Sequence, residues 1–396
     1  MIKLNCNKAS STSKTASVNL FSSSITSLPS LAKLIKKPLT PLNSSFISVY
    51  CLTWNLAGNV PSFSDMEKVL PLNKSYDLYV INTQECERSV GGSFFNSSKD
   101  MWEMMLKKYF SATHENLVNS NLGSFHLAVY IKHGLIAHCS EIKNGYIKTG
   151  FMNLVANKGA IGTSFNFNGK SFFLICCHLA AGQNKVENRN NDFKRIKTNL
   201  NLVESSEDNA KLNSIKLSKS FKNIKSRSVN IGNSYIKHDK SGINYDFGSM
   251  DSYDFVIWSG DMNYRLNTKF SEEIERLLNE GNYEEVFKYD QLYNEKIKEK
   301  SGLSEFFEGS INFRPTYKFN IGTSDYNLSD RTPGWCDRIL FKAKDVRNLT
   351  LVEYRSIEEV TLSDHKPVFA VFKAEIEEDE GSEGGFESLE DGCWIW

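Results

Sequence analysis

Eight polar side chains stand beside apolar runs and are spread over most of the sequence. They are Asn55, Glu85, His178, Asp261, Asn263, Asp337, Asp364 and His365. Each alone is weak evidence of a site, because a carboxylate after a strand is most often a turn or a cap, and a lone histidine is most often structural. As a set they supply acid, base and oxygen-ligand chemistry.

The residue types suggest a division of labour. A carboxylate with an amide partner makes a sparse oxygen site, which suits Mg²⁺ because this ion keeps several waters and takes substrate phosphate as a ligand. A second carboxylate can take the proton from an attacking water. Two histidines, held by a carboxylate, can neutralise charge on a transferring phosphoryl group. The set therefore favours metal-assisted chemistry on a phosphate ester.

The elements that would position these groups are mostly short strands. Strands are predicted at 48–56, 77–83, 125–132, 160–167, 171–178, 254–259, 338–343 and 367–373. Helices are predicted at 100–110 and 271–280, and Ser271 can cap the second of these. Several strands are almost entirely apolar, which is typical of strands covered on both faces. Since the candidate groups cluster at strand ends, where open sheets place a ligand crevice, we predict an α/β fold.

The composition argues against several classes of protein. With 40% hydrophobic and 12% aromatic residues, the 396-residue chain can bury a substantial core. Its 47 basic and 47 acidic residues balance, which is unusual for a bulk nucleic-acid binder. The 8 cysteines show no CxxC spacing, so neither a zinc site nor a disulfide scaffold is predicted. No apolar run approaches the roughly 20 residues of a membrane-spanning helix, so no transmembrane segment is predicted. The scattered cysteines favour a reducing, cytosolic setting.

Three segments differ in composition from the rest. Residues 1–46 are rich in Ser, Thr and Lys and contain no arginine, which favours a disordered tail over a mitochondrial presequence. Residues 374–396 form an acidic tail, whose terminal Trp396 argues against prenylation of Cys393. An insertion at about 203–250 is rich in Lys, Ser and Asn; we favour a disordered loop over a basic interfacial helix at 211–227. Residues 47–373 are left as the folded core of the chain.

The order and wording of the motifs resemble those of the inositol polyphosphate 5-phosphatases, most closely the synaptojanin-like branch. The resembling segments are TWNLAGN (53–59), NTQE (82–85), NKGAIG (157–162), CHLAAGQNKVENRNNDF (177–193), WSGDMNYRLN (258–267), FRPTYKF (313–319), RTPGWCDRIL (331–340) and SDHKPV (363–368). Eight motifs in the expected order are far more specific than any one of them. The resemblance implies the DNase-like fold of the exonuclease–endonuclease–phosphatase superfamily, a four-layer sandwich of two packed mixed β-sheets flanked by helices.

The resemblance also implies a role for each candidate residue. Glu85 matches the principal Mg²⁺ ligand, with Asn55 beside it. Asp261 matches the group that orients and deprotonates water, and Asp364 matches a residue near the metal and the water. The remaining catalytic candidates match groups around the scissile phosphate: Asn263 as its holder, His178 and His365 as phosphate-facing histidines, and Asp337 as the carboxylate that fixes His365.

A second set of residues matches the family's contacts to the rest of the substrate. Tyr317, Lys318 and Arg331 match a clamp on the neighbouring 4-phosphate. Lys158 is a weaker match that would face phosphate, and Arg265 is as easily structural. The family commonly has Lys-x-Arg before the PxWxDR turn, whereas this chain has Ser329-Asp330-Arg331. One cation of the clamp is therefore missing, unless Lys342 or Lys344 supplies it.

The implied activity is Mg²⁺-dependent hydrolysis of the 5-phosphate of phosphoinositides such as phosphatidylinositol 4,5-bisphosphate, by in-line attack of water. The alternatives are a soluble inositol polyphosphate 5-phosphatase, a DNase-like nuclease and a non-catalytic phosphoinositide-binding module. The PTYK and WCDRIL segments and the balanced charge argue against the nuclease, and the complete set of matched groups argues against the binding module. We expect a stand-alone, monomeric catalytic domain, cytoplasmic and peripherally associated with membranes through lipid head groups.

Overall fold

The structure is a computed structural model that describes residues 44–86, 98–150, 157–204, 249–269, 271–298, 302–328 and 332–376. Residues 1–43, 205–248 and 377–396 hold nearly all of the two predicted tails and of the predicted insertion, including its alternative basic helix, and they lie outside the described residues. The predicted domain bounds therefore stay predictions.

The described residues form two β-sheets and six α-helices. The strands are β1 (Phe46–Asn55), β2 (Leu78–Gln84), β3 (His114–Leu122), β4 (Phe125–Lys132), β5 (Cys139–Lys148), β6 (Gly159–Phe167), β7 (Lys170–His178), β8 (Val203–Glu204), β9 (Phe255–Asp261), β10 (Phe307–Glu308), β11 (Asp337–Ala343), β12 (Leu349–Ser356) and β13 (Val368–Glu375). The helices are α1 (Phe63–Val69), α2 (Ser98–Phe110), α3 (Val186–Asn199), α4 (Glu272–Asn279), α5 (Tyr283–Phe287) and α6 (Gln291–Ile297). Single 3₁₀ turns occupy Leu72–Lys74, Ile136–His138, Met250–Ser252, Leu303–Glu305 and Val346–Asn348.

Both sheets are mixed. The first sheet has 6 strands in the order β12-β13-β1-β2-β4-β3, and the second has 7 in the order β10-β11-β9-β7-β6-β5-β8. Each sheet contains one parallel pair, β1 with β2 and β7 with β9, while the other neighbours are antiparallel. Parallel strands end at the same edge of a sheet, and an antiparallel neighbour begins there. One edge of each sheet therefore collects the ends of a parallel pair and the start of an antiparallel strand.

Alternation along each strand separates the two sides of the sheets. In β1, Val49 and Cys51 pack between the sheets, whereas Tyr50, Leu52 and Trp54 pack under α1 and α2. The outer face of the second sheet buries Trp258 against Phe193 of α3, with ring centroids 4.2 Å apart. These residues form three apolar layers between four layers of secondary structure, which confirms the predicted sandwich of two mixed sheets flanked by helices.

The sequence prediction located the apolar strands well and the polar elements poorly. Strand β4 occupies the predicted residues, 125–132, and Ser271 caps α4 by accepting a hydrogen bond from the Ile274 backbone N–H. Strands β3, β5 and β12 and helix α3 were not predicted. Among the described residues, no helix combines the length and the apolar character that crossing a bilayer would require.

Candidate active site

The side-chain alternation of the strands carries polar groups into the space between the sheets at one edge. Four strands place an apolar residue on the inner face and continue that face to a polar residue at the edge. The pairs are Cys51 and Asn55 in β1, Leu174 and His178 in β7, Ile257 and Asp261 in β9, and Ile339 and Asp337 in β11. Strand register sets His178 and Asp337 on either side of Asp261. All four polar residues are buried.

Asp261 lies at the centre of this edge and joins the two sheets. Its Oδ2 accepts a hydrogen bond from Asn55 Nδ2 at 3.0 Å and lies 3.1 Å from His178 Nε2. Its Oδ1 accepts from the backbone N–H of Asn263, also at 3.0 Å. Burial acts to raise the pKa of Asp261, but the neighbouring His178 and His365 outweigh it and hold the pKa below its ordinary value. Asp261 is therefore an ionised carboxylate at neutral pH.

Asp337 and His365 form a second buried pair beside Asp261. His365 Nδ1 lies 2.8 Å from Asp337 Oδ2, which also accepts a hydrogen bond from the Thr316 hydroxyl at 2.7 Å. His365 Nε2 points toward the centre and lies 4.0 Å from Asp261 Oδ2. Burial acts to lower the pKa of His365, but the carboxylates of Asp337 and Asp261 raise it to about 9. His365 is thus an imidazolium at neutral pH, with Nε2–H facing the centre.

Glu85 differs from the other carboxylates because it is open to solvent. It follows β2 in a left-handed backbone conformation, with φ of +51°, and its side chain is 49% exposed. One carboxylate oxygen lies 3.9 Å from His178 Nε2, which places Glu85 at the mouth of the same site. The side-chain oxygen of Asn55 accepts one hydrogen bond, from the Ala57 N–H at 3.0 Å, and retains a second lone pair. An accessible carboxylate beside an amide oxygen fits a hard divalent cation such as Mg²⁺.

A second group of possible ligands fits a metal less well. Asp261, Asp337 and His365 each offer one ligand atom, and these atoms all lie within 4.8 Å of one another. His365 Nδ1 already hydrogen-bonds Asp337, and a protonated imidazole has no lone pair for a metal. These three residues are better described as a charge-paired histidine beside an ionised carboxylate.

Lys158 adds a cation on the other side of the centre. Its ammonium group hydrogen-bonds His178 Nε2, the same atom that faces Asp261. Burial lowers the pKa of Lys158, and burial together with the Lys158 charge lowers the pKa of His178. His178 Nδ1 is buried without a hydrogen-bond partner among the described residues. Two positive charges side by side are thus disfavoured here, while the carboxylates of Asp261 and Glu85 act to raise both pKa values.

Some of the predicted substrate-binding residues lie along one wall of the site. The rings of Tyr317 and His365 lie tilted against each other, with centroids 4.3 Å apart, and the Arg265 guanidinium lies 4.4 Å from the centroid of the Tyr317 ring. Lys318 and Asp364 are half-buried, and the Asp364 carbonyl accepts a hydrogen bond from the Phe319 N–H at 3.0 Å. The further clamp residues Ser329 and Arg331 lie outside the described residues.

Arg265 is buried and holds Asn263 in place. Its guanidinium donates to the side-chain oxygen of Asn263 at 2.6 Å and to the Asn263 carbonyl at 3.1 Å. Asn263 adopts a φ of +57° and donates from its side-chain nitrogen to the Leu179 carbonyl at 3.2 Å. The structural alternative for Arg265 fits these contacts, because its hydrogen bonds fix the neighbouring amide.

The two alternative donors to the 4-phosphate clamp lie at the wrong end of the sheet. Lys342 lies near the end of β11, five residues beyond Asp337, and its ammonium pairs with Asp251 and Glu305. Lys344 follows β11, and its backbone N–H donates to the Asp254 carbonyl at 3.0 Å. A strand rises about 3.3 Å per residue, so the Cα atoms of both lysines lie about 16 Å or more along the chain direction of β11 from Asp337. The suggestion that either supplies the missing charge is wrong.

Several supporting residues were missed, although they lie inside the quoted motifs. The Ser363 hydroxyl donates to the Asn55 carbonyl at 2.7 Å and accepts from the His365 N–H at 3.1 Å. Trp54 Nε1 donates to the His365 carbonyl at 3.1 Å, and Thr316 holds Asp337 as described above. Their positions next to candidate residues in the TWN, PTYK and SDHK segments were the available signal.

Two named proteins are similar in sequence to this chain. The phosphatidylinositol 4,5-bisphosphate 5-phosphatase INP51 of Saccharomyces cerevisiae is 28% identical over 382 residues, which cover 90% of this chain and 35% of that protein. Synaptojanin-2 of Homo sapiens is 27% identical over 334 residues, which cover 76% of this chain and 19% of that protein. The chain thus spans about a third and about a fifth of the length of these relatives.

A solved structure and a family model extend the comparison. The crystal structure of the inositol polyphosphate 5-phosphatase domain of SPsynaptojanin, in complex with inositol (1,4)-bisphosphate and calcium ion, matches with a TM-score of 0.64 and 25% identity over 83% of this chain and 84% of that one. The resemblance to inositol polyphosphate 5-phosphatases and the DNase-like sandwich are thereby confirmed. The model of the endonuclease/exonuclease/phosphatase family 2 matches residues 52–371, and the chain belongs to that family.

Proposed function

We propose that the chain hydrolyses the 5-phosphate of phosphoinositides such as phosphatidylinositol 4,5-bisphosphate, with Mg²⁺ as cofactor and water as the nucleophile. The observation that carries the proposal is the arrangement around Asp261. This buried carboxylate contacts Asn55 of the other sheet and His178, while the exposed carboxylate of Glu85 opens onto the same histidine. A buried base, an oxygen-ligand pair and the cationic His365 beside Asp261 converge, which suits hydrolysis of a phosphate monoester.

Asp261 is proposed to orient the attacking water and to accept its proton. Its pKa lies below the ordinary value, so it is ionised and can accept a hydrogen bond from water at neutral pH. Asn55 and the Asn263 backbone each donate to one of its oxygens, so the carboxylate does not need to reorganise during the reaction. Asp364, which adjoins His365, would contribute a further carboxylate near the water.

The charge that develops on the phosphate is proposed to meet three donors. His365 directs Nε2–H toward the centre, because Asp337 occupies its Nδ1. Lys158 supplies the ammonium on the opposite side, next to His178. Asn263 uses one of its two amide N–H groups on the Leu179 carbonyl, which leaves the other for a phosphate oxygen. These donors are fixed before substrate arrives, which is what transition-state stabilisation requires.

Glu85 and Asn55 are the residues that would hold Mg²⁺. When bound, the ion supplies Lewis-acid stabilisation of the phosphate oxygens and of the leaving alkoxide. The accessibility of Glu85 supports this assignment, because a cation that keeps several waters needs an open carboxylate. The solved relative with bound calcium ion supports a divalent cation in general, and the choice of magnesium is part of the proposal.

The substrate class follows from the relatives and from the wall of the site. One relative is named for phosphatidylinositol 4,5-bisphosphate, and the solved relative binds inositol (1,4)-bisphosphate. We propose that Tyr317, Lys318 and Arg331 contact the 4-phosphate and that the protein works as a monomer, peripherally attached to a cytoplasmic membrane surface. A soluble inositol polyphosphate shares the same head-group chemistry and is the alternative substrate.

The decisive experiment offers four substrates at saturating Mg²⁺ and measures phosphate release from the inositol compounds and strand scission of the DNA. The substrates are phosphatidylinositol 4,5-bisphosphate in vesicles, phosphatidylinositol 4-phosphate in identical vesicles, soluble inositol 1,4,5-trisphosphate and abasic duplex DNA. Phosphate should come from the first and not from the second, which lacks the 5-phosphate. Release from the soluble compound alone would select the alternative substrate class. Cleavage of the DNA, or no reaction with any of the four, would overturn the proposal.

A further inference from the structure

Gln291, the first residue of α6, contacts both loops that carry the candidate site without entering the site itself. It is 2% exposed, and every hydrogen-bonding position of its side-chain amide is used. Its oxygen accepts from Arg189 Nη2 at 2.6 Å and from the Arg265 backbone N–H at 2.9 Å. Its nitrogen donates to the Gln183 carbonyl at 3.1 Å and to the Asn267 side-chain oxygen at 2.9 Å. A buried amide with four partners in neighbouring loops is a rigid junction.

The two loops follow the strands that end at His178 and Asp261. Loop 179–183 comes directly after His178, and loop 263–267 contains Asn263 and Arg265. They also touch directly, because the Gln183 side chain donates to the Leu266 carbonyl at 2.6 Å and the Asn263 side chain donates to the Leu179 carbonyl. The geometry of Asn263 relative to His178 therefore depends on how the two loops are held together.

Arg189 of α3 completes the junction at some cost in stability. It is fully buried, and no carboxylate among the described residues lies within 4.0 Å of its guanidinium. Its hydrogen bonds go to the Ala180 carbonyl at 3.1 Å, the Gly182 carbonyl at 2.7 Å, the Gln183 carbonyl at 3.5 Å and the Gln291 side chain. A buried cation without an ionic partner is costly, and packed apolar residues are often more stable in such a place. The cost of burying the Arg189 charge is explained if its hydrogen bonds fix residues 179–183.

We propose that Gln291 is a positioning residue, which together with Arg189 locks loops 179–183 and 263–267 into one unit and so sets Asn263 and Arg265 against His178. The inference rests on the proposed function for its catalytic consequence, and on the contacts above for its structural one. A displacement of about 1 Å in a phosphate-binding group can lower turnover by about 100-fold, so loosening the junction should lower kcat.

The test compares Gln291→Met with Ser171→Ala. Methionine keeps the length of glutamine and removes all four hydrogen bonds. Ser171 ties β7 to β9 at their opposite ends, where its hydroxyl donates to the Asp254 carboxylate at 2.7 Å and accepts from the Asp254 N–H at 2.9 Å. Both variants thus weaken the same pair of strands, at opposite ends. We expect kcat of Gln291→Met to fall about 10- to 100-fold with little change in KM, and kcat of Ser171→Ala to stay near that of the wild type.

Amide hydrogen exchange gives a readout that does not depend on catalysis. Exchange should become faster in both loops, 179–183 and 263–267, in Gln291→Met and should remain unchanged there in Ser171→Ala. If the wild type releases no phosphate from any inositol substrate, the proposed function fails. Amide exchange in the two loops still tests whether Gln291 holds them together. If the amides of both loops exchange as slowly in Gln291→Met as in the wild type, the inference is overturned.

A second variant covers the case in which methionine prevents folding. Gln291→Glu keeps the two acceptor contacts and pairs the buried charge of Arg189, but loses both donor contacts. A positioning role predicts a lower kcat and faster exchange near Gln183 and Asn267 in this folded variant. A merely structural role predicts wild-type kcat, because the fold retains its ionic and packing contacts, and that result would also overturn the inference.

Discussion

The parallel strand pair of each sheet begins in the same way and ends differently. Where β1 and β2 begin, the Ser48 hydroxyl donates to the Asp77 carboxylate at 2.6 Å and accepts from the Asp77 N–H at 2.9 Å. Where β7 and β9 begin, Ser171 and Asp254 make the same two bonds at 2.7 and 2.9 Å. A serine in the first strand and an aspartate before the second thus close each pair at the end remote from the site.

At the catalytic edge the two pairs carry different chemistry. The first pair ends in an amide and an exposed carboxylate, Asn55 and Glu85, while the second ends in His178 and Asp261, whose side chains are 3% and 2% exposed. Exposure suits a group that must exchange water for a metal ion, and burial suits a group that must hold a charge in a fixed direction. The proposed role of each carboxylate is thus set by its burial and partners rather than by its position after a strand.

The largest loss of turnover is expected for Asp261→Asn. The amide keeps the shape of the carboxylate and can still accept from Asn55, but it cannot take a proton from water. Turnover should fall by roughly 10²–10⁴-fold, the usual contribution of a positioned base, while the protein still folds. Steady-state phosphate release and a thermal unfolding curve check this. Asp254→Asn at the remote end is the matched control, and near-normal turnover of Asp261→Asn would mean that another group activates the water.

A smaller and partly reversible loss is expected for Glu85→Gln. A neutral amide replaces the carboxylate that is proposed as the chief anionic ligand, so Mg²⁺ binding should weaken by about tenfold or more. Raising the Mg²⁺ concentration should then recover part of the rate for Glu85→Gln and none of it for Asp261→Asn. A titration of activity with Mg²⁺ for both variants measures the contrast. An unchanged Mg²⁺ dependence in Glu85→Gln would remove this residue from the metal site.

The sequence indicated this edge of the sheets because polar residues directly follow apolar strands there. A run such as Phe255–Trp258 predicts a buried strand on its own, and the polar residues that follow are then conspicuous. Strands β3 and β12 were missed because they are edge strands with alternating exposed residues, and helix α3 was missed because its apolar face consists of little more than Phe193 and Ile196. Short patterns of this kind differ little from loop sequence.

The pairings within the site could not be derived from residue patterns alone. Asp337 and His365 are 28 residues apart, and Arg189 and Gln291 are 102 apart. Such contacts depend on strand order and on the packing of one sheet on the other, which local periodicity does not encode. The motif resemblance implied the Asp337–His365 pair, whereas nothing in the sequence singled out Gln291.

The ion pair of His365 with Asp337 makes a prediction about pH. The pKa of His365 is raised from 6.5 to about 9, so the pair stabilises the fold fully below about pH 6.5, and this stabilisation is lost as the pH rises through 9. The free energy of unfolding of the wild type should exceed that of Asp337→Asn by an amount that shrinks by up to about 3 kcal/mol over this range. Chemical denaturation at pH 6.5, 8 and 9.5 measures it.

A second buried histidine provides the control. Burial lowers the pKa of His126 to about 3, so it is neutral in the folded protein throughout this range. Above its unfolded pKa of 6.5 it is neutral in both states, so His126→Gln should change stability by the same amount at pH 8 and at pH 9.5. A stability difference between the wild type and Asp337→Asn that does not vary with pH would show that His365 is not held as an imidazolium by Asp337.

The smallest expected effect concerns the residues that are proposed to bind the 4-phosphate of the substrate. Ser329 stands where the resembling family has lysine and lies outside the described residues. A charge-assisted hydrogen bond to phosphate contributes roughly 1.5–3 kcal/mol, so its absence should raise KM by about an order of magnitude. Ser329→Lys should therefore lower KM for a 4,5-bisphosphorylated substrate and do little for one that lacks the 4-phosphate. Because Lys342 and Lys344 lie at the remote end of β11, neither can already fill this role. Kinetics on such a pair of substrates decides the matter, and equal effects on both substrates, or none on either, would refute the account of a missing clamp residue.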